Sequence, residues 1–584
     1  MALLPRLDYE YAERVVTDVF AGYRHKARIG DGEFYDTRNL TSAYYPLLGS
    51  RKKRGRVRTM HAPGGVLAKE KLAFVEDGAL WYGGEKTAVT GLAPGKKQLV
   101  SMGAVIVIFP DKVYYNTADP SDHGSLEAGY SSVGAVEYAL CREDGTPYPQ
   151  PVKSETAPGE PTDGLYWIDA SKSAHILRQW SAAMSEWTEI PTVYTRLRFI
   201  SEGELGGLFR KNDGVSITGA AVEAVNGEHV ICAIGGGGSG ERDWLAVTGL
   251  LDEALTQTTG TVRIERRTPE MDFVIECKNR LWGCRYGMTE GKNLNEIYCC
   301  ALGDFKNWRQ YMGLSTDSWT ASVGSDGPWT GAVNFQGYPM FFKENRIHRV
   351  TVSASGAHQI TETVCRGVQE GCDRSLQVVN ETLLYKSRAD ICAYQGSFPE
   401  SISDALGDVR YYDAAAGVLG ERYYISMRDA QERWSLFVYD IRRNLWMRED
   451  EVRALGFASL GDELYCLTPD ALFAMEGTVG TPEPYVSWEA ETGMLYYQYP
   501  DRKYLSRFNL RLYMEEGAQL DVYLMYDSNG EWVRQGRVKM KGTRTVTLPV
   551  RPRRCDHLRM KLVGKGEVRL YSIAKILTTG SDVG

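Results

Sequence analysis

An all-β fold is predicted by three features of the 584-residue chain: a hairpin phrase that keeps returning, a composition suited to strands and turns, and a long tract of strict alternation near the C-terminus. The phrase is an apolar run, a turn residue, then Leu, Ile or Val followed by an aromatic or His. It occurs at 75–81, 109–114, 162–167, 277–282, 344–348, 379–385, 419–424 and 460–465. Asp, Asn and Gly tolerate the left-handed backbone of a tight turn, and Trp and Tyr pack well on a pleated surface, so each copy reads as a hairpin. The last four turn residues, Asn345, Asn380, Glu421 and Asp462, are spaced by 35, 41 and 41 residues. Hairpins at that period predict a β-propeller, here of six to eight blades with seven or eight favoured, because such units bury their faces only by stacking around an axis.

Composition supports this and bounds the partners. Aromatics make up 11% of the chain, with 35 Tyr and 13 Trp, and 61 Gly supply turns. A formal charge of -7 argues against a dominant nucleic-acid surface. The longest apolar stretch, 104–109, is far too short for a membrane span, which needs about 20 residues. Met1-Ala2-Leu3-Leu4 is broken by Pro5 and Arg6, so no secretory leader is expected. Eleven cysteines, an odd number without a C-x-x-C pair, sit mostly in apolar runs such as 229–234 and are expected to be reduced. The spacings Cys277 to Cys284 and Cys365 to Cys372 leave bridges between neighbouring strands open.

Taken in order, residues 1–60 carry no copy of the phrase and read as an extended N-terminal arm ending in the basic run Arg51–Arg58. A helix is the best reading of 8–20, against its β-branched run. The propeller is expected at 61–189 and 269–478. The 116 residues from Asp163 to Asn279 exceed one repeat. Their alternating Val193, Thr195, Leu197 and Phe199, with the apolar runs at 215–217, 229–234 and 262–264, imply a small β-barrel inserted at 190–268. From 479 to 584 the period is two: Phe508, Leu510, Leu512 and Met514, then Leu520, Val522, Leu524 and Tyr526, then Val546 and Leu548, Leu558, Met560 and Leu562, and Val568 and Leu570. That tract predicts a C-terminal β-sandwich.

The stretches 31–36, 39–46, 51–55, 271–284, 549–558 and 564–568 resemble tail-module proteins of phages and prophages, and the layout is similar to the β-propeller hub and nozzle proteins of short-tailed phages, the packaged-DNA stabilisation proteins. The resemblance implies a non-enzymatic virion protein, assembled in host cytoplasm. It would form a ring of copies, a hexamer, around the DNA exit channel between a portal or adaptor and the distal tail. The arm then supplies the candidate assembly contacts: Phe34, Tyr35, Tyr44 and Tyr45, aromatics without hairpin partners, and Arg51, Lys52, Lys53 and Arg54, which could also touch channel DNA. On this reading a chain lacking 1–58 keeps a folded propeller but fails to assemble.

Chemical motifs are few. Gly235–Gly240 satisfies G-x-G-x-x-G but lacks a βαβ context, so a loop is expected. Ser325-Asp326-Gly327-Pro328-Trp329 is similar to the Asp-box turn of sialidase-type propellers without the usual residue between Ser and Asp. The eight histidines are isolated, and no zinc, nucleophile-elbow or Walker spacing is present. No catalytic, cofactor or metal residue is therefore assigned. The alternative to the virion reading is a propeller that binds or cleaves glycans, through an axial cleft lined with acidic groups or Trp.

Overall fold

The computed structural model describes residues 12–26, 28–236, 241–353, 356–497 and 502–579. The protein is an all-β propeller with an inserted small barrel and a C-terminal sandwich. Seven sheets form the blades: 65–86, 98–125, 273–322, 331–364, 377–401, 411–450 and 456–474, numbered 1 to 7 here. Their first strands, Gly65–Ala68, Gln98–Met102, Phe273–Glu276, Gly331–Phe335, Gln377–Val379, Tyr411–Leu419 and Gly456–Leu460, surround the axis. Blade 7 takes its outer strand Gly55–Thr59 from the N-terminal side, paired with Ala471–Ala474. Residues from the two ends of the propeller sequence thus close one blade.

Seven of the eight hairpin phrases each mark one blade. At Asp77, Lys112, Lys278, Asn279, Asn380 and Glu381 the turn backbone has positive φ, the reason these polar residues recur. The phrase does not occupy the same turn in each blade. It joins the second and third strands in blades 1, 2 and 4 and the first and second in blades 3, 5, 6 and 7, which accounts for the short 35-residue step between Asn345 and Asn380.

The eighth phrase, at 162–167, belongs to the insertion and not to a blade. The insertion runs from Ala128–Ser131 to Arg263–Arg266, so residues 128–189 leave the propeller segment expected from sequence. Two sheets enclose a core of Tyr138, Leu197, Phe199, Val215, Ile217, Leu245, Val247 and Ile264. A third sheet, Val152–Ser154, Tyr166–Asp169, Ile176–Ser181 and Glu186–Glu189, covers one side.

The N-terminal segment is not an extended arm. Ala12–Thr17, within the stretch read as a helix, is a strand paired with Val568–Thr579; residues 8–11 of that stretch lie outside the described residues. Glu33–Arg38 pairs with Ser487–Thr492 of the sandwich, and the short strand Gly22–Tyr23 bridges it to Leu445–Asp450 of blade 6. One ten-stranded sheet therefore runs from blade 6 through the N-terminal segment into the sandwich. Phe20, Phe34, Leu40 and Leu48 complete the sandwich core with Phe508, Leu510, Leu512, Leu520, Leu558 and Leu570.

All eleven cysteines are free and ten are buried, so neither spacing that left a bridge open is bridged. Burial pushes the thiols up, Cys141 and Cys466 to about 12 and Cys277 and Cys372 to about 11, which keeps them protonated at neutral pH. Native protein should therefore react slowly with a thiol reagent and titrate eleven thiols after denaturation without reductant; a stoichiometric deficit would contradict the structure.

Candidate functional site

The residues singled out for assembly are mostly spent inside the chain. Phe34 is 1% exposed and lies 6.1 Å from the Phe20 ring. Tyr35 is held between His25 and the Arg559 guanidinium, and Tyr44 lies under Arg569 and against Gly49, where a Cβ would meet its ring at 2.3 Å. Arg51 and Arg54 are buried in ion pairs: Arg54 with Glu449 at 2.7 Å and Asp450 at 2.6 Å, Arg51 with Glu483 at 2.7 Å. Lys52 pairs with Glu476 at 2.7 Å. Only Tyr45, Lys52 and Lys53 of the eight reach solvent substantially. For the two arginines the physical reason is partner distance: Arg54 meets Asp450 396 positions away and Arg51 meets Glu483 432 positions away, which no local pattern reveals.

The propeller axis holds a cavity of roughly 210 Å³ walled by the first strands of the blades. Its polar wall is Gln98, Gln377, Asp373 and Arg374. Arg374 donates to the carbonyls of Leu455, Gly64 and Lys97, tying blade 5 to segments at blades 7, 1 and 2. Burial pushes its guanidinium down, though Asp373 opposes the effect. Asp373 is held bidentately by Lys96 at 2.6 Å. Glycoside hydrolysis by an acid–base pair needs two carboxylates about 5 to 10 Å apart. The lining of this cavity supplies one, and no Trp.

Blade 4 carries a Ser–His–Glu grouping built on the Asp-box-like turn. Ser325 Oγ is 2.9 Å and Glu362 Oε2 3.2 Å from the same atom, His348 Nε2, while His348 Nδ1 is buried without a partner. A nucleophile triad uses opposite ring nitrogens, one facing the hydroxyl and the other the carboxylate. With both contacts on one nitrogen and His348 fully buried against Trp329, this grouping serves packing. Of the Gly235–Gly240 run, Gly235 ends a strand against the Trp244 ring and Gly236 follows it; 237–240 lie outside the described residues. Among the described residues no group of three His, Cys, Asp or Glu could hold a metal ion, and no helix is long and apolar enough to cross a membrane.

The strongest site is the outer sheet of the insertion. Alternation puts Tyr166, Ile168 and Leu177 into the insertion core and leaves Trp167, Asp169, Arg178, Trp180 and Trp187 on the opposite face. Trp180 and Trp187 are direct cross-strand partners, with ring centroids 5.4 Å apart and planes at 61°, and Trp167 meets Trp187 at 5.2 Å and 63°. Trp167 is anchored by its indole N–H, which donates to the Ser154 carbonyl and hydroxyl. It forms the buried floor; Trp180 and Trp187 are half-exposed. Beside them Arg178 donates to Asp169 at 3.2 Å, and Ser171 donates to the same carboxylate at 2.6 Å. The Ser171 hydrogen bonds, side chain and backbone, hold Asp169 below the usual carboxylate range despite some burial, with Arg178 adding to the effect. The face therefore offers flat π surfaces next to a fixed, ionised hydrogen-bonding fork. Sequence reasoning missed it because the phrase at 162–167 was counted as a blade; the signal was there in the period-two run Ile176, Arg178, Trp180.

No protein-family model and no curated protein matches the sequence. Among solved structures the chain is similar to an exo-β-1,3-galactanase from Phanerochaete chrysosporium (TM-score 0.22, 8% identity, covering 52% of this chain and 94% of that one). It is also similar to a glycoside hydrolase family 43 arabinoxylan arabinofuranohydrolase from Bacillus subtilis (TM-score 0.19, 9% identity, 50% and 92%). A third is the extracellular domain of a hybrid two-component system from B. thetaiotaomicron (TM-score 0.17, 8% identity, 94% and 99%).

The tail hub or nozzle role expected from sequence is corrected here. The comparisons give nothing on phage tails, and Phe34, Arg51 and Arg54, expected to carry assembly or DNA contacts, are buried in the chain's own core and ion pairs. The expectation of a non-enzyme is not supported.

Proposed function

We propose that this chain is a glycan-recognition protein whose contact surface is the tryptophan face of the insertion, with the propeller and sandwich as its rigid mount. The carrying observation is the set Trp167, Trp180 and Trp187 beside Asp169 and Arg178 on one solvent-facing sheet. A sugar ring presents polarised C–H groups on one face and hydroxyls around its edge. The negative face of an indole attracts the first, and an ionised carboxylate and a guanidinium bind the second in planar, directional fashion. Core burial cannot explain a half-exposed Trp pair, since the opposite face of the same sheet already satisfies the insertion core.

The test is binding to an immobilised panel of plant, bacterial and host oligosaccharides, followed by calorimetry with the best binder. Trp187→Ala and Trp180→Ala should each cost about 1 kcal/mol, roughly a fivefold loss of affinity, with the melting temperature little changed. Equal affinity in both variants would sink the reading, as would binding of proteins but no glycan through this face.

A further inference from the structure

We infer that the outer face of the C-terminal sandwich binds a polyuronate, a glycan chain with a carboxylate on each sugar. The inference is carried by charge and stands apart from the tryptophan face. Ala12–Thr17, Val568–Thr579, Lys503–Met514 and Gly542–Pro549 lie side by side in one sheet. Alternation buries Phe508, Leu510, Leu512 and Ile573 in the sandwich core, so the residues between them face outward. Register sets Arg14 and Arg507 in one outward row on either side of Ile576, Asn509 beside Thr547 in the next, and Arg511 beside Thr545 in the third. Arg551, Arg553 and Arg554 follow on the sheet edge beyond Pro549, the partner of Arg507, between Val550, which donates to the Ser506 carbonyl, and Cys555, which bridges to Lys503.

These arginines are all exposed, and among the described residues none of them forms an ion pair. Arg553 lies 5.3 Å from the Tyr526 ring, which leaves its charge uncancelled. By contrast, the exposed Arg38 and Arg198 meet Glu451 and Glu137. The carboxylates nearby do not cancel the surplus. Glu13 alternates to the inner face, Asp18 stands alone past the end of the first strand, and Asp556 is taken up by His557 at 3.0 Å. On a chain of net charge -7 this is a local field of the opposite sign.

The array selects the ligand. At about 3.3 Å per residue along a strand and about 4.8 Å between strands, Arg507 and Arg511 stand about 13 Å apart and Arg14 and Arg507 about 10 Å, too far for one small anion and suited to a chain of repeating ones. A guanidinium holds a carboxylate through two parallel N–H···O bonds, and the exposed cations of these rows and this edge are all arginine. Between the forks, Thr545, Thr547 and Asn509 supply hydroxyls and an amide for sugar hydroxyls. Thr547 donates to the Asn509 carbonyl oxygen at 2.9 Å, which leaves the Asn509 NH2 group as a donor. Single-stranded nucleic acid needs exposed aromatic faces for its bases, and a lipid surface needs large apolar side chains that insert. In these rows the only exposed large apolar side chain is Val16, at 47%.

The experiment titrates the full chain with polygalacturonate, its methyl ester, alginate, a DNA duplex and phosphatidylserine vesicles. At least one of the two polyuronates should bind, the ester should not, and raising NaCl from about 50 to about 500 mM should release the bound chain. Arg507→Gln with Arg511→Gln should weaken binding about fivefold or more, with the melting temperature within about 2 °C of wild type because both side chains are exposed and unpaired. Arg507→Lys with Arg511→Lys keeps the charge and loses the fork, so its affinity should fall closer to the Gln variant than to wild type. No binding of either polyuronate, or equal binding by the Gln variant, overturns the site. Lysine variants that bind like wild type, or a tighter hold on the duplex or the vesicles than on either polyuronate, reduce the face to plain charge and overturn the ligand assignment. Trp180→Ala with Trp187→Ala should leave polyuronate binding intact. Its loss in that variant would place the polyuronate on the tryptophan face, overturning this site and leaving the glycan reading of that face standing.

Discussion

A chain lacking residues 1–58 should not fold cooperatively. Sequence reasoning expected the reverse, a propeller that melts normally without its arm, but the segment supplies five paired strands at once. Gly55–Thr59 is the outer strand of blade 7, Gly22–Tyr23 and Glu33–Arg38 join blade 6 to the sandwich, and Ala12–Thr17 and Leu48–Ser50 pair with the long C-terminal strand. Phe20, Phe34, Leu40 and Leu48 are each 1% exposed or less. At about 2 kcal/mol per buried large side chain, they alone approach about 8 kcal/mol, comparable with the whole stability of a domain. Removal also bares the backbone edges of blade 7 and of both sandwich sheets, which invites aggregation. Scanning calorimetry should show no single transition near that of the full chain. Phe34→Ala, a milder version of the same loss, should cost about 3 to 5 kcal/mol. A truncated protein that melts within a few degrees of the full chain would mean these strands are accessory.

What was legible in the sequence was local. Turn chemistry at Asp77, Asn279, Asn380 and Gly461 fixes hairpins by itself, so a propeller of six to eight blades could be read, and seven of the eight phrases do mark blades. The same chemistry at Asp163-Gly164 makes a turn but no hairpin, since Val152–Ser154 before it runs parallel to Tyr166–Asp169 after it; the sheet it joins depends on Tyr166 and Ile168 meeting Tyr148 and Leu177 of the insertion. Period-two alternation at 508–514 and 520–526 was decisive because apolar residues fill one buried face of each strand. The N-terminal segment failed the same test for a physical reason. Its strands are short, and their partners lie at the far end of the chain, Ala12 opposite Thr578 and Phe34 opposite Thr492. The tryptophan face was hidden by assignment to the wrong domain, although its alternation was plain once the sheet was known.

Arg54→Met should be among the most damaging single substitutions, costing about 3 to 5 kcal/mol, because it leaves two buried carboxylates without their main counter-ion. Arg54 is 4% exposed and reaches Glu449 and Asp450 in blade 6 from the segment that also closes blade 7. The pH dependence separates charge from packing. Burial raises the Asp450 carboxyl, but Arg54 and Arg51 outweigh it and hold it below its usual value; Glu483 is lowered in the same way, chiefly by its hydrogen bond to Arg51. A carboxylate whose folded pKa is depressed stabilises the fold above its unfolded value, about 4, and that contribution disappears as pH falls through the folded value. Glu449 runs the other way: burial pushes it up despite the two arginines, so it adds stability only below its unfolded value and gives it up as pH rises. The loss on acidification is therefore carried by Asp450 and Glu483. The gap in unfolding free energy between wild type and Arg54→Met should be widest near neutral pH and narrow below about pH 4, where the carboxylates become protonated in both proteins. Adding Glu449→Gln and Asp450→Asn to Arg54→Met should recover part of the loss, since no bare charge then remains buried. A gap that stays constant from pH 7 to pH 3, or a triple variant no more stable than the single one, would show that Arg54 acts through its packing and not through its charge.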